Sequence, residues 1–101
     1  MIHGVYEKVS PRYLAVEVFG TMQEGGGFAL LNDAEIDSIV NSTESGAEWS
    51  WDARHGFLRI KCKGKTHTHS WCIGQVVVWN SFTQEFEVWG KSEFERQFKK
   101  I

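Results

Sequence analysis

Residues 57–72 read FLRIKCKGKTHTHSWC, and this stretch decides the fold because it predicts two strands joined by a tight turn. From residue 47 onward apolar and polar residues alternate with a period of two, which indicates β-strands. Gly64 and Lys65 lie between the two runs, and a glycine at the first turn position suits a type II′ turn. We therefore predict an antiparallel β-hairpin with a two-residue loop.

The loop fixes the register of this hairpin, pairing Ile60 with His69 and Leu58 with Trp71. Side chains alternate between the two faces of a strand, so the register separates the residues into two sets. One face carries Leu58, Ile60, Cys62, His67, His69 and Trp71. The other carries Phe57, Arg59, Lys61, Lys63, Thr66, Thr68, Ser70 and Cys72. A closed site of two cysteines and two histidines would therefore need a register slip or a bulge.

Three metal-binding residue types remain together on one face of the hairpin: Cys62, His67 and His69. Two histidines at i, i+2 beside a cross-strand cysteine could hold an open zinc site. Structural zinc sites usually use loop knuckles with Cys-x2–4-Cys spacing, which this chain lacks. We therefore predict no cofactor and no disulfide, and we keep Cys62, His67 and His69 as an alternative metal site.

The opposite face of the hairpin is basic on an otherwise acidic chain. Residues 1–52 carry a net charge of −7, residues 53–72 carry +5, and residues 73–101 are neutral. Cations next to hydroxyl groups can hydrogen-bond phosphates or carboxylates, although the same pattern also suits a solvated outer face. The predicted binding residues are Arg54, Arg59, Lys61, Lys63, Lys65, Thr66 and Thr68.

The segments before the hairpin predict a strand, a loop, a helix and another strand. YLAVEVF (13–19) is typical of a strand, and QEGGG (23–27) of a flexible loop. Asn32 and Glu35 form a capping-box pattern before an apolar stripe of Ile36, Ile39 and Val40, which predicts a helix. AEWSWDA (47–53) alternates and predicts the strand that precedes the hairpin.

The segments after the hairpin predict a second hairpin and a final helix. QVVVWN (75–80) and QEFEVWG (84–90) flank a turn at Ser81-Phe82-Thr83. Ser92 and Glu95 match a capping box, and Lys99 and Lys100 suit the negative C-terminal end of that helix.

The predicted element order is β-α-β-β-β-β-β-α. Short connections between strands imply a mainly antiparallel sheet of about five to six strands, with its apolar face covered by the two helices. We therefore expect an α+β fold in which residues 1–101 form a single globular domain.

Composition and motif content limit the classes of function that we expect for this chain. Hydrophobic residues make up 42% and aromatic residues 14%, which is typical of a folded globule. The absence of a long apolar run or a secretion-signal pattern predicts a cytoplasmic protein with reduced cysteines and no membrane contact. His3, His55, His67 and His69 lack an evident nucleophilic partner, so we expect no enzymatic activity.

The C-terminal third, WCIGQVVVWNSFTQEFEVWGKSEFERQF, resembles the end of a family of short phage and prophage proteins of uncharacterised function. That family ends in a Gly-Asp-Tyr or Gly-Asp-Trp strand, a turn, Glu-Phe and a helix with two aromatic residues. Phe94 follows Phe86 by eight residues and precedes Phe98 by four, at the family's spacing. Gly74 is followed by Gln75 and Val76 where the family has Asp and an aromatic residue.

The resemblance, the basic face and the absence of catalytic motifs together predict a small phage-encoded binding protein in the host cytoplasm. We expect it to inhibit or modulate a host protein, in takeover or counter-defence, or a phage protein, by occlusion. The basic hairpin face is the expected contact surface, with exposed tryptophans and the acidic helix as the second choice. Binding of nucleic acid or an anionic nucleotide is the alternative, and exposed sheet edges leave a homodimer open.

Overall fold

The computed structural model describes residues 2–7, 12–43, 45–64 and 68–100. Within these ranges the chain forms ten strands and two helices. The strands are β1 (His3–Glu7), β2 (Arg12–Glu17), β3 (Gly20–Met22), β4 (Phe28–Leu30), β5 (Glu48–Asp52), β6 (Phe57–Lys61), β7 (Thr68–Cys72), β8 (Gln75–Asn80), β9 (Glu85–Gly90) and β10 (Lys99–Lys100). The helices are α1 (Asp33–Ser42) and α2 (Lys91–Gln97).

The strands form one main sheet and two smaller ones. The main sheet has five strands in the order β10-β1-β2-β8-β9, β5-β6-β7 form a three-stranded sheet, and β3-β4 form a hairpin. All the pairings between described strands are antiparallel. The predicted α+β class, with two helices and mainly antiparallel pairing, is confirmed. The sequence pattern did not predict β1, β3, β4 or β10.

The main sheet is covered on both faces, because alternate residues of its strands enter different cores. Ala15, Val76 and Val78 pack with Phe94 and Phe98 on the α2 side. On the other side Val16, Val77, Trp79 and Phe86 pack with residues of α1 and of the three-stranded sheet, namely Ile36, Ile39, Val40, Leu58, Ile60 and Trp71. The expectation that both helices cover one face is therefore wrong, since the two helices contribute to separate cores.

The register of the β6–β7 hairpin agrees with the prediction. Ile60 pairs with His69, and Leu58 pairs with Trp71. Leu58, Ile60 and Trp71 are fully buried, whereas Arg59 and Lys61 are exposed. Residues 65–67 lie outside the described residues, so the predicted pairs that involve Thr66 and His67 stay predictions.

Trp71 joins the three-stranded sheet to the main sheet. Its indole N–H donates to the backbone carbonyl of Glu87 in β9 at 3.1 Å. Its ring makes an edge contact with Phe86, with 6.4 Å between ring centroids. Because the side chain is fully buried, both contacts are shielded from water. Trp71 therefore fixes the position of β7 relative to the edge of the main sheet.

Both predicted capping boxes are wrong, although α1 begins where the pattern predicts. Asn32 makes no capping hydrogen bond to α1 with its side chain. Its amide instead donates to the carbonyl of Glu17 at 2.6 Å and accepts from the N–H of Phe19 at 3.0 Å. Helix α2 begins at Lys91 after Gly90, so Ser92 lies inside the helix rather than at its cap.

Helix α2 also ends earlier than the sequence pattern predicts. Its last residue is Gln97, and Phe98 has an extended conformation. Lys99 and Lys100 form β10, which pairs with β1 at one edge of the main sheet. The two lysines therefore extend the sheet instead of lying at a helix C-terminus.

Candidate functional site

The three-stranded sheet turns one face away from the core, and we call this the outer face. Strand β6 lies in the middle, with β5 on one side and β7 on the other. Cross-strand pairing arranges nine side chains in three rows, which are Glu48-Lys61-Thr68, Ser50-Arg59-Ser70 and Asp52-Phe57-Cys72. Arg59 lies at the centre of this array, and half of its side chain is exposed.

Strand β5 changes the charge of the predicted basic stripe. Asp52 Oδ2 lies 3.3 Å from Nη1 of Arg59, and Glu48 is the cross-strand partner of Lys61. The nine residues of the outer face therefore contain two acids and two bases. A surface of this kind has little attraction for a polyanion as a whole, because Glu48 lies directly across from Lys61 and Asp52 forms an ion pair with Arg59.

A tight turn holds Asp52 beside Arg59. Asp52 Oδ1 accepts the backbone N–H groups of Arg54 and His55, each at 3.1 Å. Its Oδ2 lies 3.0 Å from His55 Nδ1, and this side-chain hydrogen bond is the main reason why the pKa of Asp52 is lowered. Gly56 closes the turn with a positive φ of 74°. The carboxylate thus fixes both the turn and the arginine.

An Asp–His pair is also part of many catalytic sites, and here the pair lies within a tight turn. The backbone N–H and the ring of His55 both bond to Asp52, within three residues of the chain. These contacts are those of a turn, in which a short acidic side chain bonds to the backbone that follows it. His55 therefore orients the carboxylate, and Asp52 orients Arg59.

The structure divides the predicted binding residues among three depressions. Lys61 and Lys63 line a depression of about 560 Å³, together with Glu48 and Cys62. Arg59, Lys61 and Thr68 line a second, of about 300 Å³. Arg54 lines a third, beside the glycine loop that follows β3. Lys65 and Thr66 lie outside the described residues, so their predicted roles stay predictions.

The alternative metal site is only partly described. Cys62 packs against the core, and the ring of His69 lies 5.9 Å from that of Trp71, whereas His67 is outside the described residues. No group of three or more His, Cys, Asp or Glu side chains that could hold a metal occurs in the described ranges. Cys72 lies on the outer face and Cys62 does not, and neither is in a disulfide. The predicted separation of the cysteines is confirmed.

The most exposed aromatic residue of the described chain is Phe82, which the sequence pattern did not single out. Its side chain is 79% exposed in the turn between β8 and β9. Asn80 Oδ1 accepts the backbone N–H groups of Phe82 and Thr83 at 3.0 and 3.2 Å, so the turn is fixed. Trp71 and Trp79 are buried and the other three tryptophans are half-buried, so the expectation of exposed tryptophans is wrong.

Comparisons with known proteins give no relative for this chain. No family model, no curated protein and no solved structure matches it. The resemblance of the C-terminal third to phage proteins therefore stays a prediction. Across the described ranges, neither helix has the length and apolar character needed to cross a membrane.

Proposed function

We propose that this chain is a small non-catalytic binding protein, encoded by a phage, that occludes a host or phage protein. The proposal rests on one observation: the outer face presents a central arginine that a neighbouring carboxylate already holds in place. The predicted host process, takeover or counter-defence, and the host cytoplasm as its location belong to the same proposal. The phage origin rests on the resemblance of residues 71–98.

The outer face suits recognition of a protein surface better than recognition of a polyanion. Arginine is enriched among the residues that contribute most to protein interfaces, particularly near their centres. Ser50, Ser70 and Thr68 surround Arg59 with hydroxyl groups that can donate or accept hydrogen bonds. Because Asp52 restricts the Arg59 side chain before binding, less side-chain entropy is lost when a partner docks.

Occlusion fits the architecture because the outer face belongs to a sheet that is anchored to the core. Leu58 and Ile60 are fully buried beneath it, and Trp71 ties β7 to the main sheet. A rigid face of this kind can cover a partner's surface without a conformational change. Inhibition by this protein would therefore follow from steric exclusion.

The test is capture of a partner from host lysate by the full chain and by two matched variants. Arg59→Ala removes the centre of the outer face, whereas Arg96→Ala removes an exposed arginine of α2 that is ion-paired with Glu93. We expect the unaltered chain and Arg96→Ala to recover the same protein, and Arg59→Ala to recover at least about tenfold less. Equal recovery by both variants, or no partner with the tag at either end, contradicts the proposal.

Binding of nucleic acid or an anionic nucleotide is a second candidate, favoured by the depression that Lys61 and Lys63 share. Gly46 lines the same depression, and a Cβ at Gly46 would lie 3.2 Å from Lys63 Cβ, so the backbone approaches the lysine closely. Glu48 lines it as well and opposes an anion. This candidate predicts binding to DNA, RNA or nucleotides that weakens steeply with salt and with Lys61→Glu. A titration without heat or mobility shift removes it.

A further inference from the structure

A groove with aromatic walls lies on the inner side of β5, and we call it the aromatic groove. It has a volume of about 440 Å³ and is bounded by the β3–β4 hairpin, the start of α1 and β5. Its lining residues are Gln23, Phe28, Ala29, Leu30, Asp33, Trp49, Trp51 and Ala53. Trp49 and Trp51 alternate with the outer-face residues of β5 along the strand. Trp49 also borders the depression that Arg59 and Lys61 line.

The aromatic side chains of this groove are held by the protein itself. The indole N–H of Trp51 donates to the carbonyl of Phe28 at 3.1 Å, and that of Trp49 donates to Asp37 Oδ1 at 3.0 Å. Gly56 lies so close to Phe28 that a Cβ there would be 2.9 Å from the ring. Because both indole donors are already engaged, the rings offer a ligand chiefly their π faces.

The charge of the groove is negative. Asp33 is its only charged lining residue among those that the structure describes, and its side chain is exposed. Asp37 lies one helical turn further along α1. The adjoining depression shares Gln23 and Ala53 with the groove, and Arg54 lines that depression but not the groove. Aromatic faces together with a carboxylate complement an organic cation, since the ring quadrupole and the carboxylate both attract positive charge.

We propose that the aromatic groove binds the ammonium group of a lysine side chain presented by a partner protein. The lysine stem packs on the rings of Phe28, Trp49 and Trp51, and the ammonium group faces Asp33. The four-carbon stem of lysine can lie along aromatic rings while its ammonium group reaches the carboxylate of Asp33 at the rim of the groove. This proposal does not depend on the function proposed for the outer face.

The test is an NMR titration of the full-length protein with the peptide acetyl-Gly-Lys-Gly-amide. The indole N–H signals of Trp49 and Trp51 report on the groove, because both donors lie on its wall. We expect these two signals to move with millimolar affinity. The same peptide with norleucine in place of lysine keeps most of the stem and lacks the charge, and we expect it to bind about two- to fivefold more weakly.

Variants separate the charge of the groove from its shape. We expect Asp33→Asn to weaken lysine-peptide binding about two- to fivefold, because an exposed ion pair contributes little. Glu95→Gln, which removes an exposed carboxylate of α2, should leave the affinity unchanged. Three results overturn the proposal: no movement of the two indole signals, equal binding of the norleucine peptide, or equal losses in Asp33→Asn and Glu95→Gln.

Discussion

The substitution Asn32→Ala tests how the start of α1 is attached to the main sheet. Asn32 is 4% exposed, and its side chain bonds to two backbone groups at the end of β2. Its amide donates to the carbonyl of Glu17 at 2.6 Å, and its oxygen accepts from the N–H of Phe19 at 3.0 Å. Alanine removes both bonds and leaves the two backbone groups without this partner.

The expected loss follows from the burial of these two groups. A buried polar group that loses its partner costs about 1–3 kcal/mol. The bond to the Glu17 carbonyl is buried, whereas Phe19 is 45% exposed, so water can partly replace the bond to its N–H. We therefore expect Asn32→Ala to lower the free energy of unfolding by about 2–4 kcal/mol. In a domain of this size that corresponds to a fall in Tm of about 10–25 °C.

The assay is urea denaturation followed by tryptophan fluorescence, with Asn41→Ala as the matched control. Asn41 lies in α1, is exposed, and bonds through its side chain to Asp37 at 3.1 Å. Its replacement by alanine should change stability by less than about 0.5 kcal/mol, because the bond is solvated and alanine favours helix. If Asn32→Ala lowers the free energy of unfolding no more than Asn41→Ala does, the two hydrogen bonds of Asn32 do not stabilise the fold as argued.

Two further predictions concern the turn between β5 and β6. His55→Ala should raise the pKa of Asp52 toward its ordinary value of 3.8, because the bond to the imidazole is the main cause that lowers it. The ionised Asp52 carboxylate stabilises the fold at neutral pH, and this stabilisation is lost as pH falls through the folded-state pKa of Asp52. Because that pKa is higher in His55→Ala, the variant should lose the stabilisation at a higher pH than the unaltered chain does. An NMR titration of the carboxyl carbon measures this, and an unchanged pKa refutes it. Gly56→Ala should lower the free energy of unfolding by about 2–4 kcal/mol, because Gly56 has a positive φ and an added Cβ would clash with Phe28. Gly64→Ala is the matched control: Gly64 also has a positive φ but has open space around it, so we expect a loss of only about 1 kcal/mol. If the two glycine variants lose equal stability in urea denaturation, Phe28 moves aside and the clash does not contribute.

The hairpin could be predicted from the sequence because its determinants are local. A glycine at the turn fixes the loop, and strict alternation then assigns every residue from 57 to 61 and from 68 to 72 to a face. The buried Leu58 and Ile60 and the exposed Arg59 follow directly. Similar local signals located α1 and the strands β8 and β9.

The charge of the outer face could not be predicted in the same way, because it depends on which strand flanks β6. Glu48 and Asp52 were visible in the sequence, with the spacing of one strand face. Their pairing with Lys61 and Phe57 follows from the turn at residues 53–56, in which Asp52 accepts backbone N–H groups with its side chain. The sequence pattern did not predict this turn. The role of Asn32 could not be predicted either. Its sequence context suits a helix cap, but its buried side chain bonds to the backbone of Glu17 in β2 instead of capping α1.

The ion pair between Asp52 and Arg59 does not make the outer face inert. Arg59 donates from one guanidinium nitrogen, Nη1, to one carboxylate oxygen of Asp52 at 3.3 Å. A guanidinium has five N–H donors, so one such bond leaves donors that can reach a partner. Arg59 can therefore contact a partner's carboxylate through its remaining donors while it keeps the bond to Asp52. Asp52→Asn should therefore weaken partner capture less than Arg59→Ala does, because it loosens the arginine without removing it; the reverse order would mean that the partner recognises the carboxylate.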